Sequence, residues 1–171
     1  MTETSPVVGI LMGSDSDLPV MKAALDTLES FGVSAEVEVC SAHRSPARAA
    51  QYAQTARERG LQVIICGAGA AAHLAGVIAA ETTLPVIGIP IDSSPLKGFD
   101  SLLATVQMPP GIPVATMAVG RAGATNAALF AVQILSTSDS SLVEKMAEHK
   151  RTLAAGVGEK NRRLQDKLKE G

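Results

Sequence analysis

Two short polar segments contain the side chains best suited to chemistry in this sequence. Residues 13–17 read Gly-Ser-Asp-Ser-Asp and residues 41–44 read Ser-Ala-His-Arg, and each follows a strand-like run. His43 is of the residue type that gives and takes a proton near neutral pH. The planar fork of Arg44 matches the oxygens of a phosphate. Together they predict acid–base chemistry on a phosphorylated ligand, with His43 moving the proton.

The first segment is typical of a loop that binds an anion between a strand and a helix. It lacks the Gly-Lys-Ser/Thr ending of a Walker loop and the later glycines of the dinucleotide-binding fingerprint. Because two carboxylates would repel a bare phosphate, Asp15 and Asp17 are better suited to accept hydrogen bonds from a ribose diol. Ser14, Ser16 and backbone N–H groups would then bind the phosphate. The alternative is that both aspartates are only turn and cap residues.

The second segment can also be interpreted in two ways, as a ligand-binding loop or as a loop held by a structural salt bridge. Ser41, His43 and Arg44 follow a strand directly, at the edge where a ligand is expected. Arg44 could instead pair with Asp15 or Asp17 in a structural salt bridge. The sequence alone leaves both interpretations of this arginine open.

A third segment, residues 67–73, consists of glycine and alanine up to His73. Small side chains let a flat ligand approach the backbone, which makes Gly69 and Ala70 candidate contacts. The same composition also occurs where helices pack closely. His73 is expected to support the site rather than to catalyse, and its alternative role is that of a helix N-terminal residue. Two later loops could cover the site: residues 92–98 and 106–111.

Strand-like runs alternate with helical patterns, and this order predicts an α/β protein. We expect strands at residues 7–12, 33–40, 61–66, 86–91 and 112–117, with a helix after each strand. The alternation of valine or alanine with polar residues in the second run indicates an edge strand with one exposed face. The simplest architecture is a three-layer, doubly wound parallel sheet of flavodoxin-like order, with right-handed crossovers. The loops after the first four strands should then meet where such sheets bind ligands.

A charged helical extension is expected at the C-terminus, over about residues 139–169. Its sparse apolar stripe comprises Leu142, Met146, Leu153, Val157, Leu164 and Leu168. Gly156 and Gly158 are expected to break or kink this helix. We expect the stripe to pack on a neighbouring subunit, the alternative being an ordinary amphipathic surface helix. Residues 1–171 are interpreted as a single domain with its core at about residues 7–135.

Composition argues against several classes of function. The formal net charge is −2, and aromatic residues make up 2% of the chain. A nucleic-acid groove needs clustered cations and stacking rings, and a flavin sandwich needs aromatics. Cys40 and Cys66 lack metal-binding spacing, so we expect buried, reduced thiols in a cytoplasmic protein and no metal. No apolar run is long enough to span a bilayer.

Taken together, the loop sequences resemble the PurE family of bacterial purine biosynthesis. The matching motifs are Gly13-Ser14-Asp15-Ser16-Asp17, Ser41-Ala42-His43-Arg44, Gly67-Ala68-Gly69, Ala71-Ala72-His73-Leu74, Asp100-Ser101-Leu102-Leu103, Val106-Gln107-Met108-Pro109, Gly111-Ile112-Pro113-Val114 and Asn126-Ala127-Ala128-Leu129. They follow in the family's order and spacing over residues 7–135. Several motifs agree at once, which chance does not explain.

The resemblance implies a specific reaction. Members of this family are flavodoxin-like homo-octamers with sites at subunit junctions and a C-terminal helix that reaches onto a neighbour. They convert N5-carboxyaminoimidazole ribonucleotide, a carbamate, to 4-carboxy-5-aminoimidazole ribonucleotide. They use no metal or organic cofactor. The chain would therefore be a mutase that acts on a small ribonucleotide, with no nucleic-acid or membrane partner.

The resemblance also assigns roles to residues. Ser14, Asp17 and Arg44 would bind the ribose-phosphate, with Ser16 and Ser41 nearby, and Gly69, Ala70 and His73 would complete the substrate-binding set. His43 would be the general acid/base. It would protonate the carbamate nitrogen, carbon dioxide would be held in a dry pocket of small residues, and His43 would finally remove the proton from C4.

Three residues depart from the family pattern in and after the third segment. Ala70, Ala75 and Val77 stand where a glycine, a proline and a methionine are usual. If position 70 needs a positive φ, alanine is strained there. Two rival functions stay open at this point. One is a carboxylase of the same family that uses aminoimidazole ribonucleotide and free carbon dioxide, and the other is a non-catalytic nucleotide-binding module.

Overall fold

The computed structural model describes residues 5–169, and its strands form one parallel sheet. The strands are β1 (Val8–Met12), β2 (Ala35–Val39), β3 (Val63–Gly69), β4 (Val86–Ile91) and β5 (Ala115–Thr116). A 3-10 turn at Asp15–Asp17 precedes α1 (Leu18–Ser30), and the later helices are α2 (Pro46–Ala56), α3 (Leu74–Glu81), α4 (Phe99–Val106), α5 (Arg121–Ser136) and α6 (Ser140–Lys169). The strand order β2-β1-β3-β4-β5 is the flavodoxin-like order, so the predicted fold class is confirmed.

Helices cover both faces of the sheet, which explains why β1 and β4 are continuous apolar runs. On one face, α1 and α5 pack over Ile10, Ile65 and Ile87. On the other face, α2 and α3 pack over Leu11 and Ile64. The result is a rigid platform whose carboxyl edge carries the loops that follow the strands.

The edge strand β2 differs from its expected orientation. Its valine side chains are more exposed than its polar ones: Val37 has 41% of its surface exposed, and Val39 has 45%. The polar side faces α2 instead, where the Tyr52 hydroxyl donates to Glu36 Oε1 at 2.6 Å. Burial and the Glu36 carboxylate raise the pKa of Tyr52, so the phenol stays protonated and remains a donor. Glutamate is tolerated on the covered side because a buried donor satisfies it.

The strand β5 is shorter than the run at residues 112–117 predicts. It pairs with β4 only through Ala115 and Thr116. Pro113 has no N–H to donate to a ladder, so pairing begins only after it. The preceding helix, α4, begins at Phe99, directly after Gly98, which has a positive φ of 84°.

The helix α6 continues without interruption over Ser140–Lys169, so the expected break at Gly156 and Gly158 is wrong. Strong helix formers surround both glycines and outweigh a cost of about 1 kcal/mol for each. Its apolar stripe is buried at Leu142 and Met146 and exposed at Leu153, Val157, Leu164 and Leu168. Neither α6 nor any other helix within residues 5–169 is long and apolar enough to cross a membrane.

The two cysteines are free and buried beside β1, in the face covered by α2 and α3. Burial raises the pKa of the Cys40 thiol and of the Cys66 thiol. Both therefore stay protonated at neutral pH, where the thiol form is unreactive.

Candidate functional site

The loops after β1, β2, β3 and β4 surround one open cavity at the carboxyl edge of the sheet, which we call the strand-end pocket. Its volume is about 350 Å³, within the range of small-molecule sites. Seven of the predicted site residues line it: Ser14, Ser16, Asp17, Ser41, His43, Arg44 and Gly69. Segments that lie far apart in the chain meet here because parallel strands end at the same edge.

The loop after β1 is held by hydrogen bonds among its own residues. The Ser14 backbone N–H donates to Asp17 Oδ2 at 3.2 Å, and Ser14 Oγ accepts from the Ser16 backbone N–H at 3.3 Å. The Ser16 hydroxyl donates to Ser14 Oγ at 2.9 Å. These bonds form the cap of the 3-10 turn. The same three residues also line the strand-end pocket, so a role in the cap does not exclude them from the site.

Asp17 is the buried carboxylate of this loop, with 7% of its surface exposed. Burial raises the pKa of its carboxyl, the hydrogen bond from the Ser14 N–H lowers it, and the nearby Asp15 carboxylate raises it, with a net increase. Because the folded-state pKa lies above that of the unfolded chain, ionised Asp17 reduces stability as the pH rises through the folded-state pKa. A ligand hydroxyl that donates to Asp17 would offset this cost, as a ribose could.

Arg44 joins the loop after β2 to the loop after β1. Its Nη2 donates to the Gly13 carbonyl oxygen at 3.1 Å, and its backbone N–H donates to Ser41 Oγ at 3.2 Å. The alternative salt bridge to Asp15 or Asp17 is not among the ion pairs of residues 5–169. The side chain is exposed, and these bonds leave guanidinium N–H donors for a ligand. Arg44 is therefore placed to bind an anionic group.

His43 and His73 form a pair at the rim of the strand-end pocket. Their Nε2 and Nδ1 atoms lie 2.8 Å apart, and their rings are almost perpendicular at 89°. Only one proton can occupy the line between these two nitrogens. When His43 carries protons on both of its nitrogens, its Nε2–H can only donate, and His73 Nδ1 must accept. The pair can therefore hold and release one proton next to Arg44.

The loop after β3 approaches the rest of the site very closely. A Cβ atom on Gly69 would lie 1.8 Å from the Ser93 hydroxyl oxygen and 2.8 Å from Ser93 Cβ, so a larger residue would force Ser93 to move. The next residue, Ala70, has a φ of +50°. The strain that alanine suffers at a positive φ is thus present in this chain.

Two predicted site residues do not line the strand-end pocket. Ala70 is exposed on its loop, and His73 reaches the pocket only through His43. His73 lines a second, largely apolar pocket of about 570 Å³ between α3 and α4, together with Met108 and Pro109. The segment at residues 106–111, one of the two loops that could cover the first site, borders this second pocket instead.

Ser93 and Leu74 line the pocket but are not among the site residues predicted from the sequence, and Ser93 is the polar one of the two. Ser93 lies in the loop at residues 92–98, which the sequence indicates only as a segment that could cover the site. A signal was available, since Ser93 follows β4 as Ser14 follows β1 and Ser41 follows β2. The hydrogen bond between His43 and His73 had no such signal, because the two residues are 30 positions apart.

Comparison with known proteins gives matches along most of the chain. The family model described as AIR carboxylase matches residues 7–155. The chain is 54% identical over 165 residues to an N5-carboxyaminoimidazole ribonucleotide mutase of Synechocystis sp., with 96% of this chain and 93% of that protein covered. It is 61% identical over 145 residues to a Pyrococcus abyssi protein of the same name, with 85% and 82% covered.

Solved structures also match the fold. The crystal structure of Treponema denticola PurE has a TM-score of 0.82 and 25% sequence identity, and the match covers 93% of this chain and 98% of that one. Matches of this extent include every loop that surrounds the strand-end pocket.

Proposed function

The chain belongs to the AIR carboxylase family, to which PurE belongs, and we propose that its strand-end pocket binds N5-carboxyaminoimidazole ribonucleotide. The protein is an isomerase of purine biosynthesis, an N5-carboxyaminoimidazole ribonucleotide mutase. More than half of its residues are identical to those of mutases over nearly the whole chain. The observation that carries the site assignment is the His43–His73 pair at 2.8 Å, next to the exposed guanidinium of Arg44.

His43 supplies and recovers the one proton that the reaction moves. Protonated His43 gives a proton to the carbamate nitrogen, the C–N bond breaks with its electrons on nitrogen, and carbon dioxide and an amine result. The electron-rich C4 of the ring then attacks carbon dioxide and forms the new C–C bond. His43 takes the proton that C4 loses, so it ends the cycle as it began.

His73 sets which nitrogen of His43 does this work. While His43 is protonated, its Nε2–H donates to His73 Nδ1, which supports the hydrogen bond at 2.8 Å. The Nδ1 of His43 is then the atom that exchanges a proton with the substrate. The arrangement orients the ring without a carboxylate partner.

Retention of carbon dioxide is assigned to the small residues of the loop after β3. Ala68, Gly69 and Ala71 line the strand-end pocket, and Gly69 lets the backbone approach closely. An apolar wall of this kind binds carbon dioxide without offering it water. Recombination at C4 is then favoured over escape.

The ribose-phosphate is assigned to the loops after β1 and β2. Arg44 and the Ser14, Ser16 and Ser41 hydroxyls contact the phosphate, and Asp17 accepts from a ribose hydroxyl. The exposure of Arg44 and the burial of Asp17 support this division, because a charged phosphate and a neutral hydroxyl suit those two environments.

A direct assay tests the function against its nearest rival. Purified protein is expected to convert N5-carboxyaminoimidazole ribonucleotide to the C4 carboxylate in the absence of bicarbonate. Aminoimidazole ribonucleotide with bicarbonate should turn over far more slowly under the same conditions. If only the second pair of substrates reacts, the protein is a carboxylase and the mutase assignment fails.

We also infer the domain organisation, the cellular location and the assembly of the protein. It is a single domain with a C-terminal helical extension, and it assembles in the cytoplasm as a homo-octamer. Buried free thiols support a reducing compartment. An assembly is supported by the outer face of α4 and its preceding loop, where Leu96 and Phe99 are each 62% exposed, and by the exposed stripe of α6.

Light scattering at micromolar concentration should give a mass near eight times the 17.6 kDa of one chain. Phe99→Glu puts a charge on the exposed apolar face of α4 and should lower that mass while the circular dichroism spectrum stays unchanged. Gln51→Glu, on the exposed polar side of α2, is the matched control and should leave the mass intact. A monomeric parent protein would contradict the octamer.

A further inference from the structure

Ala70 lies in a backbone conformation that suits glycine. Within residues 5–169, only Ala70 and Lys97 are non-glycine residues with a positive φ, and both have a value of 50°. An alanine in this region is disfavoured by contact between its Cβ and the following carbonyl oxygen. Such outliers persist only where the surrounding structure determines them, and they concentrate at functional sites.

The neighbours of Ala70 are fixed on both sides. On one side, Gly69 pairs with Ile91 in the sheet and packs against Ser93 with no room for a Cβ. On the other side, Ala72 and Leu74 are buried, with 1% and 2% of their surface exposed. The chain must therefore turn within a very short span, and the positive φ at position 70 makes this turn.

The turn ends at His73. The Ala72 N–H donates to the Ala70 carbonyl at 2.9 Å, and the His73 N–H donates to the Ala71 carbonyl at 2.8 Å. These two consecutive tight turns, the first closed on Ala70 and the second on Ala71, lie between the backbone of Ala70 and that of His73, the residue that contacts His43. The side chain of Ala70 is exposed and does not line the strand-end pocket, so its methyl group does not form part of the wall of that pocket.

We propose that Ala70 is a positioning residue that keeps His73 in place against His43. Glycine at this position would have a broad range of allowed φ and ψ, whereas alanine at a positive φ has only a narrow one. The methyl group therefore limits the motion of the loop and pre-organises the histidine pair. The backbone strain at Ala70 is the energetic cost of keeping His43 Nε2 in fixed contact with His73 Nδ1.

The test compares three variants of the full-length protein. Ala70→Gly should lower kcat by roughly fivefold or more, leave KM unchanged, and alter the pH profile of kcat, because the proton-transfer geometry loosens. Ala70→Asn should keep kcat near the parent value, since asparagine occupies the left-handed region readily and keeps a Cβ. Lys97→Gly relieves equal strain in a loop outside the histidine pair and should leave kcat and its pH profile unchanged.

This inference rests on the proposed role of the histidine pair, and one further variant separates the two. His73→Gln should lower kcat if the pair works as proposed. Loss of activity in His73→Gln together with full activity in Ala70→Gly would overturn only the positioning role. Full activity in His73→Gln would overturn the proposed role of the pair itself. A kcat in Ala70→Gly equal to or above that of the parent would likewise overturn the positioning role of the methyl group.

Discussion

Replacement of His43 by asparagine is expected to lower kcat by about 10³-fold while substrate binding is retained. Asparagine keeps a polar side chain but does not extend as far as His43 Nε2, and it cannot carry the proton between the carbamate nitrogen and C4. The residues proposed to bind the phosphate are untouched. Initial rates at saturating substrate give kcat, and calorimetric titration with the product gives the dissociation constant.

His149→Asn is the matched control for this substitution. His149 lies in α6, where its ring contacts Phe31 at 5.6 Å, on a helix that contributes nothing to the lining of the strand-end pocket. This variant should keep full activity. Turnover of His43→Asn within a few-fold of the parent would remove His43 from the mechanism.

Substitution of Arg44 by methionine is expected to raise KM by about 100-fold, with a smaller change in kcat. Charge-assisted hydrogen bonds from a guanidinium to a phosphate are about twice as strong as neutral ones, and methionine removes them while it keeps much of the side-chain volume. The KM of Arg44→Lys should lie between that of the parent and that of Arg44→Met, because lysine keeps the positive charge but loses the planar, forked guanidinium. Steady-state kinetics with the ribonucleotide measure these differences.

Two controls separate phosphate binding from a structural role of Arg44, whose Nη2 also bonds to the Gly13 carbonyl. Arg48→Met removes the neighbouring arginine, which pairs with Glu38 on β2, and should leave KM unchanged. The corresponding ribonucleoside, which lacks the phosphate, should inhibit the parent and Arg44→Met equally. An unchanged KM in Arg44→Met, or a lost affinity for the ribonucleoside, would contradict the assignment.

Several elements of the fold could be predicted from local pattern. The apolar run of β1 and the Asp-Leu-Pro start of α1 are local signals, and the structure has both elements where those signals place them. Prediction failed where an element depends on what surrounds it. The polar side of β2 is covered because Tyr52 of α2 donates to Glu36, and the continuity of α6 through Gly156 reflects the residues around it.

By itself, the sequence determined the alternation of strands and helices, hence a doubly wound sheet, and which polar side chains its loops carry. His43, Arg44 and Asp17 are identifiable because residue type and position after a strand are local properties. Only the tertiary structure decided that His43 meets His73, that Ser93 closes against Gly69, and that Ala70 must adopt a positive φ. Those outcomes depend on the relative placement of β2, β3 and β4, which is set by packing among residues far apart in the chain rather than by any local pattern.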